Sequence, residues 1–371
     1  MPQRRTGLRS LHVTLGDDAP FCDPWATAPV GRGVPVQRLS GFPFAPWFLA
    51  RLQQAQRLVL MTHVNPDADG LGAQLAFAAA ARAAGRKVTI VNEDPCPSRY
   101  AWMDPLRTIR AFDSAADEIE GADLALIFDA HEISRAARPA HRARALGIAV
   151  WVVDHHPCRP DEDIEGVIAA EFSSTGELAW RLIEALGWPR DAEAAAAVYA
   201  AMSFDTGSFR FIRNNPQTMR TAAELLETGM DANPIQEALF ASRTRGELAL
   251  MGRALHELRY AADGRIAWAV LPPDITAGLE IGEDAFGELI PTFIGIEGVL
   301  IAALFKPGKQ AGEYKLSLRS KTAVRVGDVA RRRGGGGHDH AAGATLYGDP
   351  QAHAAAVLAE LEACLRDQVD G

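Results

Sequence analysis

Cysteine is scarce in this sequence: Cys22, Cys96, Cys158 and Cys364 stand far apart among 371 residues and form no CxxC pair. That argues against a structural zinc site and a disulfide scaffold, and free thiols in a reducing cytoplasm are expected. Basic runs are short as well. The longest is Arg331 to Arg333 and the formal net charge is -9 with histidine neutral, so no long electrostatic groove for duplex nucleic acid is advertised. Any nucleic-acid substrate should be short or gripped locally. Long apolar runs are missing near the start: after MPQRR, the stretch TGLRSLHVTLGDDAP offers no continuous hydrophobic segment, so neither a secretory leader nor a membrane span is expected. The composition is ordinary for a globular protein, 48% hydrophobic and 23% charged, with length for roughly two or three domains.

Residues 1–45 are rich in Gly, Pro and Arg with weak periodicity, the mark of a poorly ordered or wrapping arm. From residue 46 the pattern alternates. RLVLMT, KVTIVN, ADLALIFDA and IAVWVVDHH read as buried strands, and GLGAQLAFAAAARAAG as a helix stopped by Gly85. Strands alternating with helices predict an α/β fold with a doubly wound parallel sheet, whose ligands sit beyond the carboxyl ends of the strands. That domain should span 46–232, followed by a long helical connector, 233–260, and a smaller α/β domain, 261–371, with strands in GRIAWAVL, GVLIAALFKP and YKLSLRS and a closing helix in PQAHAAAVLAELEACL.

The polar oddities fall at the strand ends. His63, Asp67 and Asp69 follow RLVLMT, Asp129 closes ALIF, Asp154, His155 and His156 close WVV, and Asp205 follows a helix ending in MSF. Taken singly, each has an ordinary explanation: a strand-end histidine, helix caps, turn formers. Taken together they would crowd carboxylates that repel one another unless divalent cations sit among them. Oxygen ligands with a minority of imidazoles and no thiolate suit Mn²⁺ or Mg²⁺, and two such ions can generate a hydroxide nucleophile for phosphoester hydrolysis. A dinucleotide-binding reading of DGLGAQ fails, because the third glycine is missing and aspartates stand where a pyrophosphate would lie.

In the second domain, Gly334 to Gly337 followed by His338 can bring backbone N–H groups close to a phosphate. It is not a P-loop, since no Lys-Ser/Thr follows. Arg319 and Lys321 close SLRSK and could add cationic donors.

Five stretches in this order, THVNPDADGLGA, IFDAHEISR, VDHHP, SFDTGSFRF and GGGGHDHAAG, resemble the DHH/DHHA1 phosphoesterases, and within them the NrnA-like group of bifunctional oligoribonucleases and 3′-phosphoadenosine-5′-phosphate phosphatases. The resemblance covers about residues 46–365. It implies that His63, Asp67 and Asp129 hold one Mn²⁺, that Asp69, Asp129, His155 and Asp205 hold the other, that Asp154 orients its neighbour and that His156 faces the scissile phosphate. It also implies substrate contacts from Arg135, Arg319, Ser320, Gly335, Gly336, Gly337 and His338, and a homodimer as the assembly often found among relatives. His131 departs from the pattern, standing where relatives carry a small or polar residue, either as an added donor or as a crowding group.

The function so implied is hydrolysis of short single-stranded RNA to mononucleotides, or of 3′-phosphoadenosine-5′-phosphate to AMP, in a cleft between the domains. Long duplexes and membranes are not expected partners. Two rivals stand beside it: a phosphodiesterase for cyclic or linear dinucleotides, and a catalytically idle nucleotide sensor that kept the cleft.

Overall fold

The computed structural model describes residues 37–38, 44–156, 165–212, 215–282, 285–321 and 324–370. The expectation for the arm, residues 1–45, therefore lies almost wholly outside the described residues, as do Cys22 and Cys158; Cys96 and Cys364 are free thiols.

Seven strands form the first sheet: β1 (Gln37–Arg38), β2 (Arg57–Met61), β3 (Lys87–Asn92), β4 (Ile109–Ala111), β5 (Leu124–Phe128), β6 (Val150–Asp154) and β7 (Gly166–Ile168). Their order is β1-β7-β6-β5-β2-β3-β4, and every neighbouring pair is parallel. The chain winds outward from β2 to β4, returns to place β5 beside β2, then winds the other way. The reversal between β2 and β5 is the switch point at which a doubly wound sheet opens its ligand crevice.

Both faces of the sheet are covered, which is why β5 and β6 are buried along their whole length. One face carries α1 (Pro46–Gln54), α2 (Ala68–Ala83), α5 (Thr175–Ala185) and α6 (Ala192–Asp205) over a core that includes Phe48, Phe77, Trp180 and Met202. The other is covered by α3 (Phe112–Ala115) and α4 (Ala137–Ala145) over Met61, Ile127 and Val152. After α6 come α7 (Pro216–Glu227), α8 (Ala232–Phe240) and α9 (Arg245–His256).

The stretch expected to be one long connecting helix is two. Thr244 caps α9 with a capping box, its side chain accepting from Glu247 N while Glu247 accepts from Thr244 N, so a new helix begins where a continuous one was expected. The two halves divide between the cores: Ile235 of α8 joins the first, Leu250 and Ala254 of α9 join the second.

The second sheet runs β12 (Gly336–His338), β13 (Ala341–Tyr347), β11 (Glu313–Ser320), β10 (Ile301–Pro307), β9 (Ile266–Val270), β8 (Arg259–Ala261), antiparallel except for β9 with β10. α9 and α10 (Leu289–Ile294) pack on one face, α11 (Gly327–Arg331) and α12 (Pro350–Leu365) on the other. The glycine run, expected as a loop, enters an edge strand at Gly336, and the small-residue string after it is β13.

Candidate metal centre

Strand register alone brings the first three groups together. Met61 pairs with Ile127 and Phe128 with Val153, so two residues past Met61 His63 comes level with Asp129, and one past Val153 Asp154 does too. Asp129 takes a left-handed backbone, φ 61°, uncommon for a residue with a side chain and costing about 1–3 kcal/mol; its N–H donates to the Val153 carbonyl at 3.0 Å.

α2 supplies two further carboxylates. Asp67 is its N-cap, accepting from the N–H groups of Asp69 and Gly70. Gly70 lets the helix start close against β2: a Cβ there would strike Thr62 Oγ1. Asp69 is buried and accepts from the N–H groups of Thr175 (2.8 Å) and Gly176 (2.8 Å) at the start of α5. Asp205 is the last residue of α6.

These side chains converge in three overlapping groups that could hold metal ions: His63, Asp67 and Asp129; Asp69, His155 and Asp205; and Asp129, His155 and His156. In each, one ligating atom per residue lies within 4.8 Å of the others.

The donor set fits cations on a test independent of residue type. His155 Nδ1 donates to the Phe172 carbonyl at 3.2 Å, which turns Nε2 toward the carboxylates. That nitrogen is buried, has no hydrogen-bond partner, and lies 3.3 Å from Asp205 Oδ2, 3.6 Å from Asp69 Oδ2 and 4.0 Å from Asp129 Oδ1. A cation held between that nitrogen and the three carboxylates would satisfy all of them, with the imidazole as ligand through Nε2. His63 is set the same way, Nδ1 donating to the Val64 carbonyl at 2.8 Å and Nε2 facing Asp129 Oδ2 (3.5 Å) and Asp67 Oδ2 (3.7 Å).

Titration behaviour shows the same crowding. Burial, with Asp129, Asp205 and Asp67 nearby, raises Asp69 well above the carboxylate range. Burial also raises Asp205, against the opposing pull of His155. Burial would raise Asp129 too, but hydrogen bonds from His156 and His63 hold it far below the usual range. Burial opposes protonation of His63, yet Asp129 and Asp67 push it up to about 10.

Beside this cluster, Asp154 is fully buried and holds two imidazoles. Its Oδ2 accepts from His131 Nδ1 at 2.9 Å, and its Oδ1 from His156 Nδ1 at 2.9 Å and His156 N at 3.1 Å. Against burial, Asp129 and Asp154 push His156 up to about 11. His131 therefore adds a donor to Asp154.

Sequence reasoning missed Thr175. Its hydroxyl donates to Asp129 Oδ1 at 2.9 Å and its N–H to Asp69, so one residue braces both carboxylates. The signal was Ser174-x-x-Glu177 after β7, an N-cap pattern in which Ser174 accepts from Glu177 N.

The second-domain residues lie on their own sheet. Register aligns Arg319, Ala341 and His338 in one row across β11, β13 and β12. Arg319 is half-buried, which lowers its pKa; among the described residues its guanidinium has no carboxylate within ion-pair distance and bonds only to the Leu318 carbonyl. Arg331, Arg332 and Arg333 are by contrast paired with Asp328 or Glu360. The Ser320 hydroxyl donates to the Val324 carbonyl at 2.5 Å, and His340 Nδ1 donates to the same carbonyl at 2.8 Å. Gly335 is packed too closely for a Cβ, Gly336 has open space around it, and Gly337 takes φ 122°. In the first domain, the Arg135 carbonyl accepts from Val64 N at 2.8 Å, tying the segment after Asp129 to the one after β2.

Residues 57–202 match the DHH family, N-terminal domain, and residues 269–367 the DHHA1 domain. A curated relative, the bifunctional oligoribonuclease and PAP phosphatase NrnA of Thermus thermophilus, is 31% identical over 78% of this chain and 84% of its own. Among solved structures, an exopolyphosphatase-related protein from Bacteroides fragilis superposes with a TM-score of 0.81 over 88% of this chain and 97% of its own, at 23% identity. RecJ of Thermus thermophilus, solved in complex with Mn²⁺, gives 0.50 over 85% of this chain and 53% of its own, at 18% identity. A parallel sheet with its polar cluster at the switch point, a second, mixed sheet later in the chain and matches to both domains in chain order place this protein in the DHH/DHHA1 family of phosphoesterases.

Proposed function

We propose that the protein hydrolyses the phosphoester bonds of short RNA oligonucleotides and of 3′-phosphoadenosine-5′-phosphate, using two divalent cations, with Mn²⁺ ahead of Mg²⁺. The observation that carries the reading is His155 Nε2, a buried nitrogen without a hydrogen-bond partner among three carboxylates. Support for the substrate class comes from the Thermus thermophilus relative, named for both activities.

In this reading His63, Asp67 and Asp129 hold one ion and Asp69, Asp129, His155 and Asp205 the other. When bound, the ions activate water and neutralise charge developing on the phosphoryl group. Asp154 fixes the His156 ring through Nδ1 and, with Asp129, keeps it protonated, so its other nitrogen is a donor for a phosphoryl oxygen. His156 is thus a substrate-facing group rather than a metal ligand. Arg319, a half-buried guanidinium without a carboxylate partner among the described residues, is suited to a substrate phosphate, with the edge strand at Gly336 and Gly337 and with His338 beside it. Arg135 adds a cation on the first domain. Two free thiols among the described residues fit a reducing cytoplasm.

The test is Mn²⁺-dependent product release from a 5′-phosphorylated diribonucleotide, from 3′-phosphoadenosine-5′-phosphate and from a cyclic dinucleotide, side by side. Turnover of either of the first two above the third is expected, with Arg319→Ala raising KM more than it lowers kcat. Preference for the cyclic dinucleotide would move the reading to the rival phosphodiesterase, and Mn²⁺ binding without turnover of any would move it to the sensor.

A further inference from the structure

The segment after Asp205 does something the metal centre does not need. Gly207, Ser208 and Phe209 are all left-handed, with φ 57°, 61° and 61°. For serine and phenylalanine this conformation is strained and persists only where the surroundings impose it. Here they do. Ser208 N donates to the Ser203 carbonyl at 2.6 Å, Phe209 N to Thr206 Oγ1 at 2.8 Å, and Ser208 Oγ to Gln236 Oε1 at 2.8 Å.

The turn sends two phenylalanines opposite ways. Phe209 goes inward against Tyr199, ring centroids 5.4 Å apart. Phe211 goes outward and is 71% exposed, the most exposed aromatic among the described residues. Its ring is seated rather than loose: Cδ2 and Cε2 lie 3.3 and 3.5 Å from where a Gly207 Cβ would stand. Phe211 N also donates to the Thr206 carbonyl at 3.0 Å. Through that bond its Cα lies no more than about 11 Å from the Cα of Asp205. Arg210 completes the arrangement, Nε donating to the Gly207 carbonyl at 2.6 Å and Cζ lying 5.9 Å from the Phe211 ring centroid, with no carboxylate in ion-pair reach among the described residues.

We propose that Phe211, flanked by Arg210, is the nucleobase platform of this site: one base of the substrate stacks on the open face of the Phe211 ring while its phosphate lies at the metal cluster. An exposed aromatic face beside a guanidinium that has no carboxylate partner among the described residues is the chemistry that grips single-stranded bases without reading their identity. The proposal rests on the nucleotide-hydrolase reading above and assigns it a specificity element: substrates with a base gain affinity there, and simple phosphoesters do not. The left-handed turn is the device that keeps the ring out of the core.

The experiment compares wild type with Phe211→Leu and Phe211→Trp, all as the full chain. Diribonucleotide substrates are used intact and with either base removed in turn. Binding is read separately from turnover through quenching of 2-aminopurine placed at each position. Phe211→Leu should raise KM for the intact dinucleotide about ten-fold while affecting kcat less, Phe211→Trp should restore it, and quenching at one position should be lost in the Leu variant. Removing that base should weaken wild type by a similar factor and leave Phe211→Leu unaffected. If wild type turns over the dinucleotide and Phe211→Leu shows unchanged KM and quenching, the platform is overturned and the functional reading stands. If wild type neither binds nor turns over nucleotides, both fall.

Discussion

His155 Nδ1 donates to the carbonyl of Phe172, and this single bond decides what the other side of the ring does. With that side of the ring fixed, Nε2 faces Asp69, Asp129 and Asp205 and has no hydrogen-bond partner. Burying such a group without a partner costs about 1–3 kcal/mol, and a bound cation removes the cost.

Cation binding should therefore release protons. In the metal-free protein His63 holds its proton up to about 10, on the nitrogen facing Asp67 and Asp129, and Asp69 is raised by burial and its acidic neighbours. Both sites must deprotonate to ligate, so Mn²⁺ affinity should rise with pH. The metal-free form behaves oppositely. The raised His63 pKa contributes stability that is fully present below about pH 6.5 and is lost as pH rises through about 10. The gap in melting temperature between Mn²⁺-loaded and metal-free protein should widen from pH 6.5 to 9. Calorimetric titration in buffers of different ionisation enthalpy measures the released protons, and heats independent of buffer would contradict the account.

Thr175→Val should lower activity about ten-fold. It removes the hydroxyl that donates to the charged Asp129 Oδ1, worth about 1.5 kcal/mol, while keeping the shape of the side chain and the N–H bond to Asp69. Thr175→Ser should recover most of the loss. Equal activity in all three proteins would show that Asp129 needs no brace.

Asp154→Asn should lower kcat by about 10–100-fold. The amide keeps the size of the carboxylate but offers one acceptor to two imidazole donors, His131 and His156. The wild-type carboxylate helps hold His156 protonated up to about 11, so the variant should lose activity at lower pH on the alkaline side. A pH–rate profile of kcat separates this from a simple packing defect, which would leave the alkaline limb where it is.

The parts of the fold that the sequence disclosed are those where physics is local. Apolar runs as long as β2, β5 and β6 have few alternatives to a buried strand, and polar groups at their ends stand out against them. Register and the switch point then bring His63, Asp129 and Asp154 together without any side-chain signal beyond position. β7, at three residues, and β13, rich in Ala and Gly, carry too little β propensity to be read, and their pairing partners supply what they lack. The role of Thr175 comes from Asp69 and Asp129, which are distant in sequence. The break between α8 and α9 was present as Thr-Arg-Gly-Glu, but unbroken helical periodicity on both sides hid it.

The most direct measurement is mononucleotide release from a 5′-phosphorylated diadenylate by chelator-stripped protein as Mn²⁺ is restored, beside Asp129→Ala under the same conditions. Asp129 stands where strand register, two of the three ligating groups and the Thr175 brace meet. The account predicts no turnover without metal, turnover that rises with Mn²⁺ in the wild type, and a variant that stays folded and inactive. Turnover that ignores the chelator, or a variant as active as the wild type, would contradict it.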